Sequence, residues 1–137
     1  MTQTAPIGPD RRLAPRTAAI SPLLIIREAV DLTAGVMNLV IHPTGEVDLA
    51  TSANLHQAVF SAIDRCKRVC LDLAEVTFFD ILGLRTLSAA SMHADHRYQA
   101  FWLRNPPELL RRVMVLSDMD QLNSDNPRQP NAPRTER

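Results

Sequence analysis

The sequence has little cysteine, lysine or glycine, and each shortage excludes a class of protein. Two cysteines, Cys66 and Cys70, are too few for a disulfide framework and fit a reducing compartment. Lys67 is the only lysine, and 15 basic residues balance 15 acidic ones, so nothing predicts broad electrostatic binding to nucleic acid or to an anionic membrane. The four glycines are scattered singly and form no loop that could cradle a phosphate group.

Long apolar runs are missing too. Residues 1–22 lack the apolar stretch of about 7 to 15 residues that a secretory signal needs, and no run is long enough to span a bilayer. We therefore expect a cytoplasmic protein. A hydrophobic content of 45% and a charged content of 22%, in 137 residues, are typical of one globular domain.

Both ends of the chain are rich in proline and show no periodicity of apolar residues. Residues 1–20 and 121–137 could not bury enough apolar surface to offset the entropy lost on ordering, so we predict disordered tails there. The folded domain is then expected to span residues 21–120.

The domain begins with two strands and continues with strands that alternate with helices. Apolar runs on either side of Gly35 predict a hairpin. Apolar residues at helical spacing predict a helix after Thr51 or Ser52, whose hydroxyl would cap the first N–H groups. The predicted elements are strands at Leu23–Val30, Val36–Gly45, Val69–Leu73 and Ala100–Leu103, a loop at Ala74–Phe79, and later helices beginning at Asp80 and at Pro106.

The order of these elements predicts an α/β fold. Strands that alternate with helices are joined by right-handed crossovers and pair in parallel, whereas the hairpin adds an antiparallel strand at the N-terminal edge. We expect a mostly parallel central sheet of about four to five strands, flanked by about three to four helices.

The most unusual local feature is the start of the second helix, FFDILGL, at residues 78–84. Asp80 is placed to accept a hydrogen bond from a free N–H group at the helix start, which is a more ordinary role than catalysis. Two aliphatic residues, Ile81 and Leu82, follow it, and Gly83 would let the helix approach the sheet closely. Leu82 could either face a partner or pack under its own loop against the preceding phenylalanines.

No arrangement of residues predicts catalysis or a metal site. Glu46 and Asp48 lie on the loop before the first helix, where they could flank a partner or nucleotide site, although solvated acids are the more ordinary interpretation. Two carboxylates at an unknown distance make no acid–base pair. The serines lie in helical segments, outside the strand–turn–helix context of a nucleophile. The histidines and cysteines lack the paired spacing of metal ligands, so we expect no cofactor and no metal.

Cys66 and Cys70 leave a redox switch open as an alternative. The first is predicted at a helix end and the second inside a strand. A disulfide needs Cα atoms within about 7 Å and converging Cβ vectors, which such a pair seldom provides. The two thiols therefore remain a candidate redox site, but no other feature of the sequence supports one.

Three segments in the correct order resemble the STAS domain, a family found in sulfate transporters and anti-sigma factor antagonists. GEVDLATSANL, Gly45 to Leu55, is similar to the segment that leads into the family's first helix. LDLAEVTFFDILGL, Leu71 to Leu84, resembles its most specific motif, in which a strand ends in Asp and a second Asp precedes two small residues and Gly-Leu. WLRNPPELLRRVMVLSDM, Trp102 to Met119, is similar to the last strand and helix. The resemblance covers about residues 23–120.

One position departs from the family pattern. Regulated antagonists have Asp-Ser-Ser-Gly or Asp-Ser-Ala-Gly where residues 80–83 of this chain are Asp-Ile-Leu-Gly, so the phosphorylated serine of the family aligns with Leu82. Because leucine has no hydroxyl group, the resemblance implies that a kinase cannot switch this position off. Regulation would then fall to expression, to another residue such as Thr77 or Thr86, or to redox chemistry.

The resemblance implies a bacterial, non-enzymatic protein that binds an anti-sigma factor and thereby frees a sigma factor. The partner-binding residues that it implies lie on the loop before the first helix and at the start of the second: Asp48, Thr51, Asp80, Ile81, Leu82, Gly83, Leu84 and Arg85. A weak homodimer is a further candidate for self-association, and the oligomeric state stays open.

Two alternatives to this function stay open. A STAS scaffold or accessory subunit of a larger regulatory or transport complex would use the same fold without meeting an anti-sigma factor. A small-ligand sensor is the third hypothesis, since some family members bind nucleotides or lipids, although this sequence shows no specific pocket motif.

Overall fold

The computed structural model describes residues 23–119 and Leu122, apart from the side chain of Thr33, together with the backbone of residues 16–20. Within these residues the chain forms, in order, β1 (Arg16–Ile20), β2 (Leu24–Thr33), β3 (Val36–Val47), α1 (Ser52–Arg65), β4 (Arg68–Asp72), β5 (Val76–Phe79), α2 (Ile81–His96), β6 (Ala100–Arg104) and α3 (Glu108–Leu116).

The strands form a single mixed sheet with the order β1-β2-β3-β4-β6, and β5 pairs with β3. The pairs β1–β2 and β2–β3 are antiparallel, whereas β3–β4, β3–β5 and β4–β6 are parallel. The predicted α/β fold, with a parallel centre and antiparallel pairing on its N-terminal side, is confirmed.

The β2–β3 hairpin turns at Ala34 and Gly35, as the position of the glycine predicts. Both residues have positive φ angles, 53° and 78°, as the central residues of a type I′ turn require. This turn type matches the right-handed twist of the two strands, which pair along the whole length of β2.

Two strands were not predicted. Residues Val76–Phe79, predicted as part of a loop, form β5 and pair in parallel with the end of β3. β4 pairs with β3 only over Leu39, Val40 and Ile41, so β5 satisfies backbone groups that β3 presents beyond that point. A strand this short does not show the alternation that identifies a strand from sequence.

The second missed strand, β1, lies within the segment predicted as an N-terminal tail. The prediction of a tail over residues 1–20 is wrong for Arg16–Ile20, whose backbone pairs with the outer edge of β2. Leu122 also departs from the predicted C-terminal tail, because its side chain is buried in the core. The remaining residues of both predicted tails lie outside the described residues.

The three helices of the described region pack on one face of the sheet. Alternate strand residues form one buried cluster with the inward faces of α1, α2 and α3, including Ile41, Val69, Leu71, Leu103, Leu55, Ile63, Leu87, Ala90, Leu110 and Met114. Right-handed crossovers that progress in one direction across a sheet place their helices on the same side. The starts of α2 and α3 therefore both lie at the carboxyl ends of parallel strands.

The opposite face of the sheet has a smaller buried cluster. It consists of Val40, Cys70, Ala100 and Trp102, which alternate along their strands with the residues that face the helices. The guanidinium carbon of Arg68 lies 5.3 Å from the centre of the Trp102 ring, within the range of a cation–π contact. Both sides of β4 are thus buried, as its apolar sequence predicts.

Candidate functional site

The Asp48 loop and the start of α2, which hold the predicted binding residues, lie side by side. Val47, the last residue of β3, is paired with Phe79, the last residue of β5. The next residue, Asp80, donates its backbone N–H to the carbonyl oxygen of Val47 over 3.1 Å. The loop that begins at Asp48 and the start of α2 therefore form one continuous surface at this end of the sheet.

Asp48 and Thr51 hold the first of these loops together. The Asp48 carboxylate accepts hydrogen bonds from the backbone N–H groups of Ala50, over 2.9 Å, and Thr51, over 3.2 Å. The Thr51 hydroxyl donates to the carbonyl oxygen of Glu46 over 2.7 Å and accepts from the Asp48 N–H over 3.0 Å. Thr51 is buried, so its side chain supports the loop and does not itself offer a surface.

The predicted capping role of the Thr51 hydroxyl is wrong. Thr51 does occupy the N-cap position of α1, but its side chain accepts no hydrogen bond from the helix. The hydroxyl is turned toward the end of β3 instead, where Glu46 and Asp48 provide its partners. The large apolar residue that this loop presents to solvent is Leu49, with 80% of its surface exposed, and it is not among the predicted binding residues.

Asp80 caps α2 as predicted. Its backbone is extended, with φ −101° and ψ −172°, and its carboxylate oxygen Oδ1 accepts a hydrogen bond from the Leu82 N–H over 2.8 Å. Its carbonyl oxygen accepts from the N–H groups of Gly83, over 3.0 Å, and Leu84, over 3.3 Å. One carboxylate thus satisfies an N–H group that would otherwise have no partner at the helix start.

Gly83 lies against the ring of Phe79. A Cβ atom at residue 83 would be 2.5 Å from Cε1 of that ring, far inside van der Waals contact. The absence of a side chain lets Phe79 lie against the first turn of α2 while it packs on the core. The predicted role of Gly83 in close packing agrees with this geometry.

The apolar residues at the start of α2 differ in exposure. Ile81 has 66% of its surface exposed and Phe78, near the end of β5, has 52%. Leu82 and Leu84 are half-buried, and Arg85 is exposed. Ile81 therefore presents more apolar surface to solvent than Leu82, the residue at the position of the family's phosphorylated serine.

A groove of about 310 Å³ lies between the start of α2 and α3. One wall comes from the end of β5 and the start of α2: Phe78, Phe79, Asp80, Ile81 and Leu84. The other wall comes from the first two turns of α3: Leu109, Leu110 and Val113. Asp80 is the one polar residue among these, so the groove is almost entirely apolar.

The α3 wall was not predicted, although the sequence contains a signal for it. The helix ELLRRVMVL buries only Leu110 and Met114, yet it also contains Leu109, Val113, Val115 and Leu116. A helix that packs on one side needs apolar residues on one stripe only. Apolar residues beyond that stripe indicate a second contact surface.

The two cysteines proposed as a redox pair lie apart, and only one of the two threonines considered for phosphorylation is accessible. Cys66 packs with the cluster on the helix face, whereas Cys70 belongs to the cluster on the opposite face, so the sheet separates the two thiols. Thr86 is buried. Thr77 is exposed, and its hydroxyl donates to the carbonyl oxygen of Gly45 over 3.2 Å.

Two further properties concern the described part of the chain. No group of three or more histidine, cysteine, aspartate or glutamate side chains among the described residues is arranged to hold a metal ion. Among the helices that the structure describes, none has both the length and the apolar character that crossing a membrane requires.

A comparison with protein families matches residues 30–124 to the family model described as Mlab, STAS domain. This match covers more than half of the chain and includes the Asp48 loop, the start of α2 and all of α3. A comparison with curated proteins found no match.

Solved structures with the same fold include anti-sigma factor antagonists. The one from Mycobacterium paratuberculosis is 25% identical, over 72% of this chain and 82% of that one, with a TM-score of 0.57. The protein SpoIIAA of Bacillus has been solved in its unphosphorylated and phosphorylated forms, and both are 17% identical to this chain. The unphosphorylated form covers 72% of this chain and 87% of that one, with a TM-score of 0.58.

Proposed function

The chain belongs to the STAS domain family, and on that premise we propose that it is an anti-sigma factor antagonist. It binds an anti-sigma factor through the loop and helix start around Asp80–Leu84 and thereby releases a sigma factor. The similarity to the antagonist from Mycobacterium paratuberculosis supports this choice of partner. The protein acts by binding and not as an enzyme, and it works in the cytoplasm, where sigma factors meet RNA polymerase.

One observation supports the location of the binding surface. Leu49 lies on the loop after β3, Phe78 near the end of β5 and Ile81 at the start of α2, and each has more than half of its surface exposed. Burying a large aliphatic or aromatic side chain in an interface is worth about 1.5–3 kcal/mol. Three such residues on one surface provide the apolar centre that a stable protein interface needs.

The proposal includes the absence of a phosphorylation switch at Leu82. A phosphate at this place would add about 1.5 to 2 negative charges to the docking surface, but leucine has no group that can accept one. Two threonines could be phosphorylated in place of residue 82. Of these, Thr86 is buried and Thr77 is exposed. We therefore expect binding that is constitutive unless Thr77 or a factor outside this loop regulates it.

A second candidate function is an accessory subunit of a larger complex. The matching family model is described as Mlab, STAS domain, and this description names no anti-sigma factor. The same exposed surface would then dock onto another subunit of a regulatory or transport assembly. The two functions differ in the identity of the partner and not in the location of the site.

The experiment that tests the proposal is a pull-down from a lysate of the source organism, followed by mass spectrometry. The baits are the wild-type chain, Ile81→Asp, Leu82→Asp and the matched control Leu32→Asp. Leu32 is 70% exposed and lies near the hairpin turn, at the other end of the sheet from the Asp80 loop. An anti-sigma factor that is recovered with wild type and Leu32→Asp but lost with Ile81→Asp supports the proposal.

Two outcomes of this experiment count against parts of the proposal. Recovery of transporter or scaffold components without an anti-sigma factor favours the accessory subunit. Equal recovery with all four baits moves the binding surface elsewhere. In a separate binding assay, loss of the partner after phosphorylation of Thr77 would show that binding is switched at Thr77 and is not constitutive.

A further inference from the structure

We infer that α3 forms the second wall of the partner surface, and that the partner inserts apolar side chains of an acidic amphipathic helix into the groove between α2 and α3. The inference rests on the proposed function for the presence of a protein partner at this end of the sheet. It adds the chemistry of the segment that the partner presents and assigns binding residues on α3, outside the loop around Asp80.

The first support is the exposure of apolar side chains on both walls. Ile81 on α2 and Leu109 on α3 have 66% and 69% of their surfaces exposed. Leu110, the neighbour of Leu109, already fills the core position of this turn. Packing within the chain therefore does not explain why a leucine stands at the exposed position 109, whereas a partner contact at the groove does.

The second support is the kind of occupant that the groove admits. Its volume of about 310 Å³ lies near the lower end of the range for small-molecule sites, about 300–1,000 Å³. Such sites are mostly apolar too, but they orient the ligand with a small number of converging polar groups. Here the single polar side chain is Asp80, and its Oδ1 atom is already engaged by the Leu82 N–H. An apolar groove between helices suits instead the anchor side chains of a partner helix, spaced three or four residues apart.

The third support is the charge around the groove. Glu108, at the first turn of α3, pairs with both Arg111 and Arg112, so two guanidinium groups share one carboxylate. Arg85, in the first turns of α2, is exposed. Both α2 and α3 begin at the groove, and helix starts have partial positive charge. Arg85, Arg111 and Arg112 are each next in sequence to a residue that lines the groove, whereas Asp48 on the adjoining loop is not. Together with the two helix starts, the three arginines outweigh the carboxylates of Asp80 and Glu108, which favours acidic residues on the partner.

The experiment measures binding of two synthetic peptides to the full chain labelled with ¹⁵N. The first peptide is an amphipathic helix with leucines three and four residues apart and glutamates beside them. The second has lysine in place of every glutamate. We expect the acidic peptide to shift amide signals of residues 78–85 and 108–113 and to bind at least about tenfold more tightly than the basic one.

Variants on α3 locate the contact. Leu109→Asp is expected to weaken binding of the acidic peptide about tenfold, whereas Leu116→Asp, on the same helix outside the groove, changes its affinity less than about twofold. Leu109→Ser repeats the test without a new charge. Arg85→Glu is expected to reduce the preference for the acidic peptide while the free protein stays folded.

Several outcomes would overturn the inference. These are equal binding of the two peptides, equal loss with Leu109→Asp and Leu116→Asp, or signals that move only outside the groove. Groove signals that shift with protein concentration alone would assign the groove to a second copy of this chain. Recovery of an anti-sigma factor by a Leu109→Asp bait, with loss by Ile81→Asp, would overturn the role of α3 and leave the proposed function standing.

Discussion

The aromatic ring of Phe79 occupies the space that a side chain at residue 83 would need. A Cβ atom at Gly83 would lie 2.5 Å from Cε1 and 2.6 Å from Cζ of that ring. The glycine thus determines how closely β5 approaches the first turn of α2. The position of the exposed Ile81 and Phe78 relative to each other depends on this contact.

Gly83→Ala is therefore expected to destabilise the protein, although alanine favours helix. Overpacking of this kind costs about 1–3 kcal/mol, and the gain in helix propensity offsets at most about 1 kcal/mol. Urea denaturation should show a net loss of about 1–2 kcal/mol. In the background of Phe79→Leu, which removes the ring, the loss should disappear, and Gly83→Ala should be neutral or stabilising by up to about 1 kcal/mol. An equal loss in both backgrounds would show that the ring is not the cause.

Asp80→Ala should cost about 1 kcal/mol of stability, because the Leu82 N–H loses its acceptor. Asparagine caps helices about as well as aspartate, so Asp80→Asn should stay within about 0.5 kcal/mol of wild type. Chemical denaturation of the two variants measures the difference. If both variants lose the same stability, the negative charge matters and the hydrogen bond to Leu82 does not.

Thr51→Val keeps the shape of a buried side chain and removes its hydroxyl. The carbonyl oxygen of Glu46 and the N–H of Asp48 then lose their partner, at a cost of about 1–3 kcal/mol. Amide exchange in residues 46–51 should become faster, while exchange in α2 stays as in wild type. The control is Ser52→Ala, at the next residue, which should leave exchange in this loop unchanged. Unchanged exchange in Thr51→Val would contradict the supporting role of Thr51.

The pKa of the Asp64 carboxyl is lowered, above all because it is hydrogen-bonded to His93 Nε2 over 2.7 Å. Attraction to His93 and Arg97 adds to this effect, and partial desolvation opposes it. A lowered pKa means that the folded state binds fewer protons than the unfolded state in acid. The stability from this pair is thus present above the usual pKa of 3.8 and is lost as the pH falls through the folded value.

The expected result for Asp64→Asn is a smaller loss of melting temperature in acid than wild type shows. Melting temperatures measured from about pH 6 to about pH 3 should converge for the two proteins at the acid end. Asp118→Asn, at an exposed position after α3, is the control. A plot of its melting temperature against pH should lie parallel to that of wild type. Parallel curves for Asp64→Asn as well would show that the His93 contact does not affect folding.

Much of the fold follows from local pattern. The cap at Asp80 joins residues two apart, and the turn at Gly35 depends on φ angles that glycine adopts freely. The predicted positions of α1, α2, β4 and β6 also agree with the structure within a few residues, since apolar periodicity identifies each one.

Other features depend on pairing between distant segments, which no local pattern contains. β1 and β5 exist as strands because β2 and β3 offer backbone groups to them, and neither contains an apolar run like those of β4 and β6. The Thr51 hydroxyl turns to Glu46 and Asp48 instead of the helix for a similar reason, because a competing partner lies nearby in space.

The sequence by itself determined the family, the α/β order of elements and the unusual helix start at Asp80, Ile81 and Leu82. These depend on residue types and on contacts between near neighbours. Only the tertiary structure decided that Ile81 and not Leu82 is the more exposed residue, and that Leu109 lies across a groove from it. The physical reason is that exposure and grooves arise where elements remote in sequence meet, and their packing decides which side chains remain in solvent.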